Sequence, residues 1–202
     1  MDAQTPAAAT TYHDLFVTDG STSMRWKITD SGVSLSQDGV SWTIGNQTLK
    51  RSYSDIFSIR LQRAAAGTAA GVGICEVRFR DGITLTIMGG SEHGIADTEK
   101  TPLYADFVRD LHKRLAKRDD SKRIVYLAGL SEGRHVVLTI AVIASAILFG
   151  LLPLGLLIMI RDLHTLVLFG TATGLLWSFY ILWQKNRPRP YTPTSVPEDL
   201  LS

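Results

Sequence analysis

Residues 101–117 read Thr-Pro-Leu-Tyr-Ala-Asp-Phe-Val-Arg-Asp-Leu-His-Lys-Arg-Leu-Ala-Lys. Tyr104, Phe107, Val108, Leu111 and Leu115 recur at three- and four-residue spacing, which is the period of one apolar helix face. Thr101 stands where an N-cap would, and Pro102 at the first helical position, where its missing N–H is no loss. The spacing predicts one amphipathic helix ending near Lys117. Before it the apolar residues alternate; after it they run together. The segment therefore divides the chain.

Upstream, short alternating runs are separated by turn residues. Met24 to Thr29 alternates, Asp30-Ser31-Gly32 turns, and Val33 to Ser36 continues. Ser41 to Ile44, Gln47 to Tyr53 and Ile56 to Leu61 follow as further strands. Ala64 to Gly73 is rich in Ala and Gly and reads as a loop. Ile74 to Arg80 and Ile83 to Met88 flank Asp81-Gly82, a two-residue hairpin signal. Six or seven short antiparallel strands followed by one helix form an α+β arrangement, with the helix closing an open end of a small barrel or sandwich.

Downstream, Val136 to Ile160 is 25 residues without a charge, and Leu163 to Trp183 is 21 more. As a helix the first could reach about 37 Å against a hydrocarbon core of ~30 Å. Only Arg161 and Asp162 separate the two runs, so they predict a transmembrane hairpin with a tight turn. Eight Lys or Arg flank it (Lys117, Arg118, Lys122, Arg123, Arg134, Lys185, Arg187 and Arg189), against Arg161 alone at the tip. The positive-inside rule then places both termini in the cytoplasm of a multi-pass inner-membrane protein. Gly170 and Gly174 form a G-x-x-x-G notch, with Gly150 and Gly155 at similar depth in the first run. Such a notch serves either packing of the two helices on each other or a homodimer face.

The segments Tyr53-Ser54-Asp55-Ile56-Phe57-Ser58-Ile59-Arg60-Leu61 and Tyr104 to Leu115 resemble the strand and closing helix of bacterial pleckstrin-homology-like (PH-like) domains. The resemblance implies a small antiparallel PH-like β-barrel closed by a C-terminal α-helix, here followed by the two-helix transmembrane hairpin. The domain order expected is a disordered N-terminus (1–11), a PH-like domain (12–118), a juxtamembrane linker (119–134), the hairpin (135–184) and a Pro-rich cytoplasmic tail (185–202). The tail, from Asn186 through Pro193, reads as extended and unpaired.

Chemistry is sparse. The single cysteine, Cys75, sits in an alternating run and reads as a small strand residue, with no second thiol for a disulfide or a metal. The five histidines fall at no metal-ligand spacing, and no nucleophile-elbow, zinc-protease or phosphate-loop pattern occurs. No cofactor and no catalytic activity are expected. Residues 1–134 carry 17 of the 21 Lys and Arg and 16 of the 19 Asp and Glu, a balance that argues against a nucleic-acid partner. His112 reads as a partly exposed helix residue. The positions that stand out are a basic stripe, Arg109, Lys113, Lys117, Arg118, Lys122 and Arg123, which is either a solvated face or a surface for anionic lipid headgroups. The expected function is a membrane-anchored interaction module that binds a protein partner or an anionic lipid surface. The alternative is an accessory subunit of a larger membrane complex, bound through its hairpin.

Overall fold

The computed structural model describes residues 10–19, 31–44, 47–64, 72–90, 97–148, 155, 174, 177, 180, 181, 183, 184 and 187–201. Its contacts divide the chain into two units, one of Met1–Ala128 with Arg189–Ser202, the other Gly129–Pro188.

The first unit is built on two sheets. One has four antiparallel strands in the order β1 (Thr11–His13), β3 (Ser31–Leu35), β4 (Gly39–Ile44) and β5 (Gln47–Ser52). The other has six, in the order β10 (Arg189–Pro190), β9 (Val125–Ala128), β6 (Ile56–Ala64), β7 (Val72–Phe79), β8 (Thr84–Met88) and β2 (Phe16–Thr18). The alternation seen in the sequence is why these segments are strands. In β7, Val77 and Phe79 point inward and Arg78 outward, as period two demands. The β7–β8 turn carries Gly82 at φ +91°, a left-handed conformation open to glycine, beside Asp81, whose carboxylate accepts from the Ile83 amide at 3.1 Å.

A single core joins the layers. Val33, Val40 and Trp42 of the four-stranded sheet meet Ile59, Val77, Leu85 and Ile87 of the six-stranded one, and Trp42 stacks on Phe79 with centroids 5.5 Å apart. Helix α1 (Lys100–Ala116) lays Tyr104, Phe107, Val108, Leu111 and Leu115 into that core, the five positions predicted from the spacing. Its start differs by a step from the expectation: the Asp97 carboxylate accepts from the amides of Glu99 (2.9 Å) and Lys100 (3.4 Å), one turn ahead of the expected Thr101 cap. Tyr104 crosses the sheet over two glycines. A Cβ on Gly73 would run into its ring, and one on Gly89 would lie 2.7 Å from its Cβ.

Several expectations are corrected here. Among the described residues the strands form two sheets and not a closed barrel, so the PH-like β-barrel does not describe the unit. Nor does α1 end it. After α1 the chain adds β9, parallel to β6 with Ile59 opposite Tyr126, and after the second unit it returns as β10 beside β9. The tail expected to be unpaired is thus a strand and a core element: Leu200 and Leu201 are 0% and 2% exposed. Of the stretch expected to be disordered, Thr11 opens β1, and residues 1–9 lie outside the described residues. The strand expected at Met24 to Thr29 lies outside them too.

The second unit contains α2 (Glu132–Ala146). The His135 ring stacks on Trp183 with centroids 5.7 Å apart, and Trp183 Nε1 donates to Thr139 Oγ1 at 2.9 Å. Among the described residues no helix is long and apolar enough to cross a membrane. This overturns the two-span transmembrane hairpin. It also overturns the expectations that rested on the hairpin: the membrane as a partner through two spans, and the multi-pass inner-membrane location with both termini cytoplasmic. The turn at Arg161-Asp162 and most of the second run lie outside the described residues.

Candidate functional site

The outer face of α1 and the returning tail enclose a groove. The tail arrives as β10, and the Tyr191 amide donates to the Tyr126 carbonyl at 3.2 Å. Residues 192–195 then make a tight turn, with the Ser195 amide on the Thr192 carbonyl at 3.0 Å. A short 3-10 turn, Glu198–Leu200, drops Leu200 into the core. Between this path and the helix lies a space of about 510 Å³. Arg109, Lys113, Ala116 and Lys117 line it from α1, and Pro193 to Val196 with Glu198 from the tail. Spacings of three, four and seven put these helix residues on one face, opposite the apolar stripe.

His112 ties the two walls together. It is 1% exposed. Its Nδ1 lies 2.7 Å from the Val108 carbonyl, which can only accept, so Nδ1 carries the proton. Nε2 then accepts from the Tyr191 hydroxyl at 2.8 Å. The His112, Tyr126 and Tyr191 rings pack with centroids 5.5–5.8 Å apart. Burial pushes the imidazole down to about 4, the Val108 bond opposing weakly, and burial drives the Tyr191 phenol far above its ordinary value. Both ring nitrogens are used within the protein, so the imidazole is a tie and not a base for a bound molecule. Cys75 is buried in β7, where burial pushes its thiol up and keeps it protonated. Among the described residues no group of three His, Cys, Asp or Glu side chains could hold a metal ion.

The basic stripe divides under this geometry. Arg109 donates to Glu198 at 2.8 Å, with Asp106 at 3.7 Å, and so bridges helix and tail. Arg118 lies over the Tyr53 ring at 5.7 Å, with Asp120 at 3.8 Å. Lys113 and Lys117 line the groove, and among the described residues neither has an anionic partner. Lys122 and Arg123 are exposed on the 3-10 turn Asp119–Arg123, beyond the helix. The stripe is therefore not one continuous surface: three of its six cations line the groove, and two of these, Lys113 and Lys117, have no anionic partner among the described residues. Of the glycines, Gly155 and Gly174 are exposed, and a Cβ on either would meet nothing within 4 Å; Gly150 and Gly170 lie outside the described residues.

Sequence reasoning missed His112, Tyr191 and Glu198. A signal for the first was present: Tyr104, Val108 and His112 are four apart, and that row faces the core. Nothing local marks Tyr191 or Glu198, whose partners are 79 and 89 residues away.

No family model matches this chain, and no curated protein matches it.

Proposed function

We propose that the first unit is an interaction module whose groove receives an acidic, partly apolar segment of a protein partner. The observation that carries this reading is the pair of ammonium groups, Lys113 and Lys117, one helical turn apart beside Ala116 and Val196 and with no anionic partner among the described residues. A segment bearing carboxylates and one or two apolar side chains answers both features. The tail already uses this chemistry on the same wall, with Glu198 on Arg109 and Leu200 and Leu201 in the core. Each exposed ion pair contributes roughly 0.2–1 kcal/mol, so binding is modest and depends on the apolar contacts as well.

The test is selection of 12-residue peptides from a display library on the full chain. Peptides combining Asp or Glu with Leu, Val or Phe are expected, and they should lose binding to Lys113→Gln/Lys117→Gln. Selected peptides that bind the double variant as well as the original chain would place the partner elsewhere.

A further inference from the structure

We infer that Ser195 is a phosphoryl-acceptor site, and that a phosphate there is held by Lys113 and Lys117 across the groove. Three observations converge on this serine. First, Thr192, Thr194 and Ser195 are exposed on one turn of the tail, but they are not equivalent. The hydroxyls of Thr192 and Thr194 hydrogen-bond each other at 3.2 Å, whereas Ser195 Oγ has no hydrogen-bond partner among the described residues. Second, the turn is pinned on both sides, by Tyr191 on His112 and by Leu200 and Leu201 in the core. A group added at Ser195 stays at the groove. Third, the groove's opposite wall presents two cations that have no anionic partner among the described residues. Glu198 and Asp199 follow three and four residues after Ser195, a context suited to a protein kinase that reads acidic residues downstream.

The step is an ordinary phosphoryl transfer. Ser195 Oγ bonds to the γ-phosphorus of a nucleoside triphosphate, the bond from that phosphorus to the β-bridging oxygen breaks, and the nucleoside diphosphate leaves. The hydroxyl proton passes to the kinase's base. The product adds close to two negative charges and three strong acceptors, enough to engage both lysines. The modified tail is then clamped on α1, and the groove's cations are neutralised. This inference rests on cations and a hydroxyl that have no partner among the described residues, not on the identity of any partner.

The test uses the full chain with phosphoserine installed at position 195, beside the unmodified chain and both forms of Lys113→Gln/Lys117→Gln. Amide hydrogen exchange over residues 191–201 is followed at low salt and at 0.5 M salt. Exchange about fivefold slower in the phosphorylated chain is expected, with the slowing lost in the double variant and largely lost at high salt. Unchanged exchange, or equal slowing with and without the lysines, would overturn the clamp. Treatment of the unmodified chain with an acid-directed protein kinase and ATP should put phosphate on Ser195 by mass spectrometry. Phosphate found only at other residues, or none, would overturn the acceptor assignment. Neither arm uses a peptide ligand, so a failed peptide selection leaves this result separate.

Discussion

The Nε2 of His112 lies 2.8 Å from the hydroxyl of Tyr191, a residue 79 positions later that reaches it only after the whole second unit has intervened. That bond joins the outer helix to the last strand, and it makes the end of the chain part of the first unit's core.

Because His112 is neutral in the fold, stability should fall in acid. The unfolded chain takes up the proton near 6.5 and the folded chain near 4. Between those values the unfolded state binds more protons, so the contribution is complete above pH 6.5 and is lost as pH falls to 4. The loss is up to about 3 kcal/mol, with no further loss from this residue at lower pH. His13, also pushed down by burial, adds to the same trend. Urea midpoints measured at pH 7, 5.5 and 4 check this. His112→Leu should be less stable at pH 7 but should show a flatter profile across the window. A profile as steep as the original would remove His112 as its source.

The tail is expected to be indispensable. Leu200→Ala should cost about 2–5 kcal/mol, the range for a buried leucine truncated in a packed core. A fragment ending at residue 118 lacks β9, β10 and both tail leucines, so the six-stranded sheet would lose two strands next to β6. Circular dichroism through a urea titration should show no cooperative transition for that fragment, and one clear transition for the intact chain. Cooperative unfolding of the short fragment would mean that the tail only decorates a complete core.

The close approach of Tyr104 to the sheet gives a third expectation. Gly73→Ala should destabilise by about 1–3 kcal/mol, because the added methyl meets an aromatic ring inside a filled core. Tyr104→Leu removes that ring, so Gly73→Ala should be much less harmful in its background. Denaturation of the four proteins in a double-mutant cycle measures the coupling. Additive effects would show that the ring and the glycine do not press on each other.

How much of this was legible follows from the range of each interaction. The helix at 101–117 and the β7–β8 hairpin are specified by local signals, a 3.6-residue period and Asp81-Gly82; the hairpin turn and the helix's apolar face stand as read, and only the helix start moves, to the Asp97 turn. β1 and β2 are three residues each, too short for a period to show. β9 and β10 owe their pairing to β6 and to each other, across 60 residues of the other unit, and a Pro-rich segment carries no sign of such a partner. Apolar runs report burial or lipid exposure alike, and an apolar pattern does not tell the two apart. In the groove, Lys113 and Lys117 were visible as part of a basic stripe. What sets them apart from Arg109 was not, because Glu198 is 89 residues from Arg109.

The last expectation separates the groove's cations by their partners. Arg109 is half exposed and bonded to an exposed Glu198, a geometry in which solvent screens most of the attraction. Arg109→Gln should therefore leave the unfolding midpoint almost unmoved, while loosening the tail locally. Amides near Glu198 should exchange faster without a change in the core. Lys113→Gln/Lys117→Gln removes two cations that have no anionic partner among the described residues, so neither the midpoint nor tail exchange should change in the unmodified chain. The same double variant should abolish the binding of acidic peptides, and that binding should weaken as salt rises, since the attraction acts within a Debye length of ~8 Å at physiological ionic strength. Fluorescence anisotropy of a selected peptide, run beside hydrogen exchange on the same proteins, reads both properties at once. Loss of binding together with a destabilised tail would show that the lysines serve the fold. Loss of binding with an undisturbed tail is the result expected of a surface kept free for a partner.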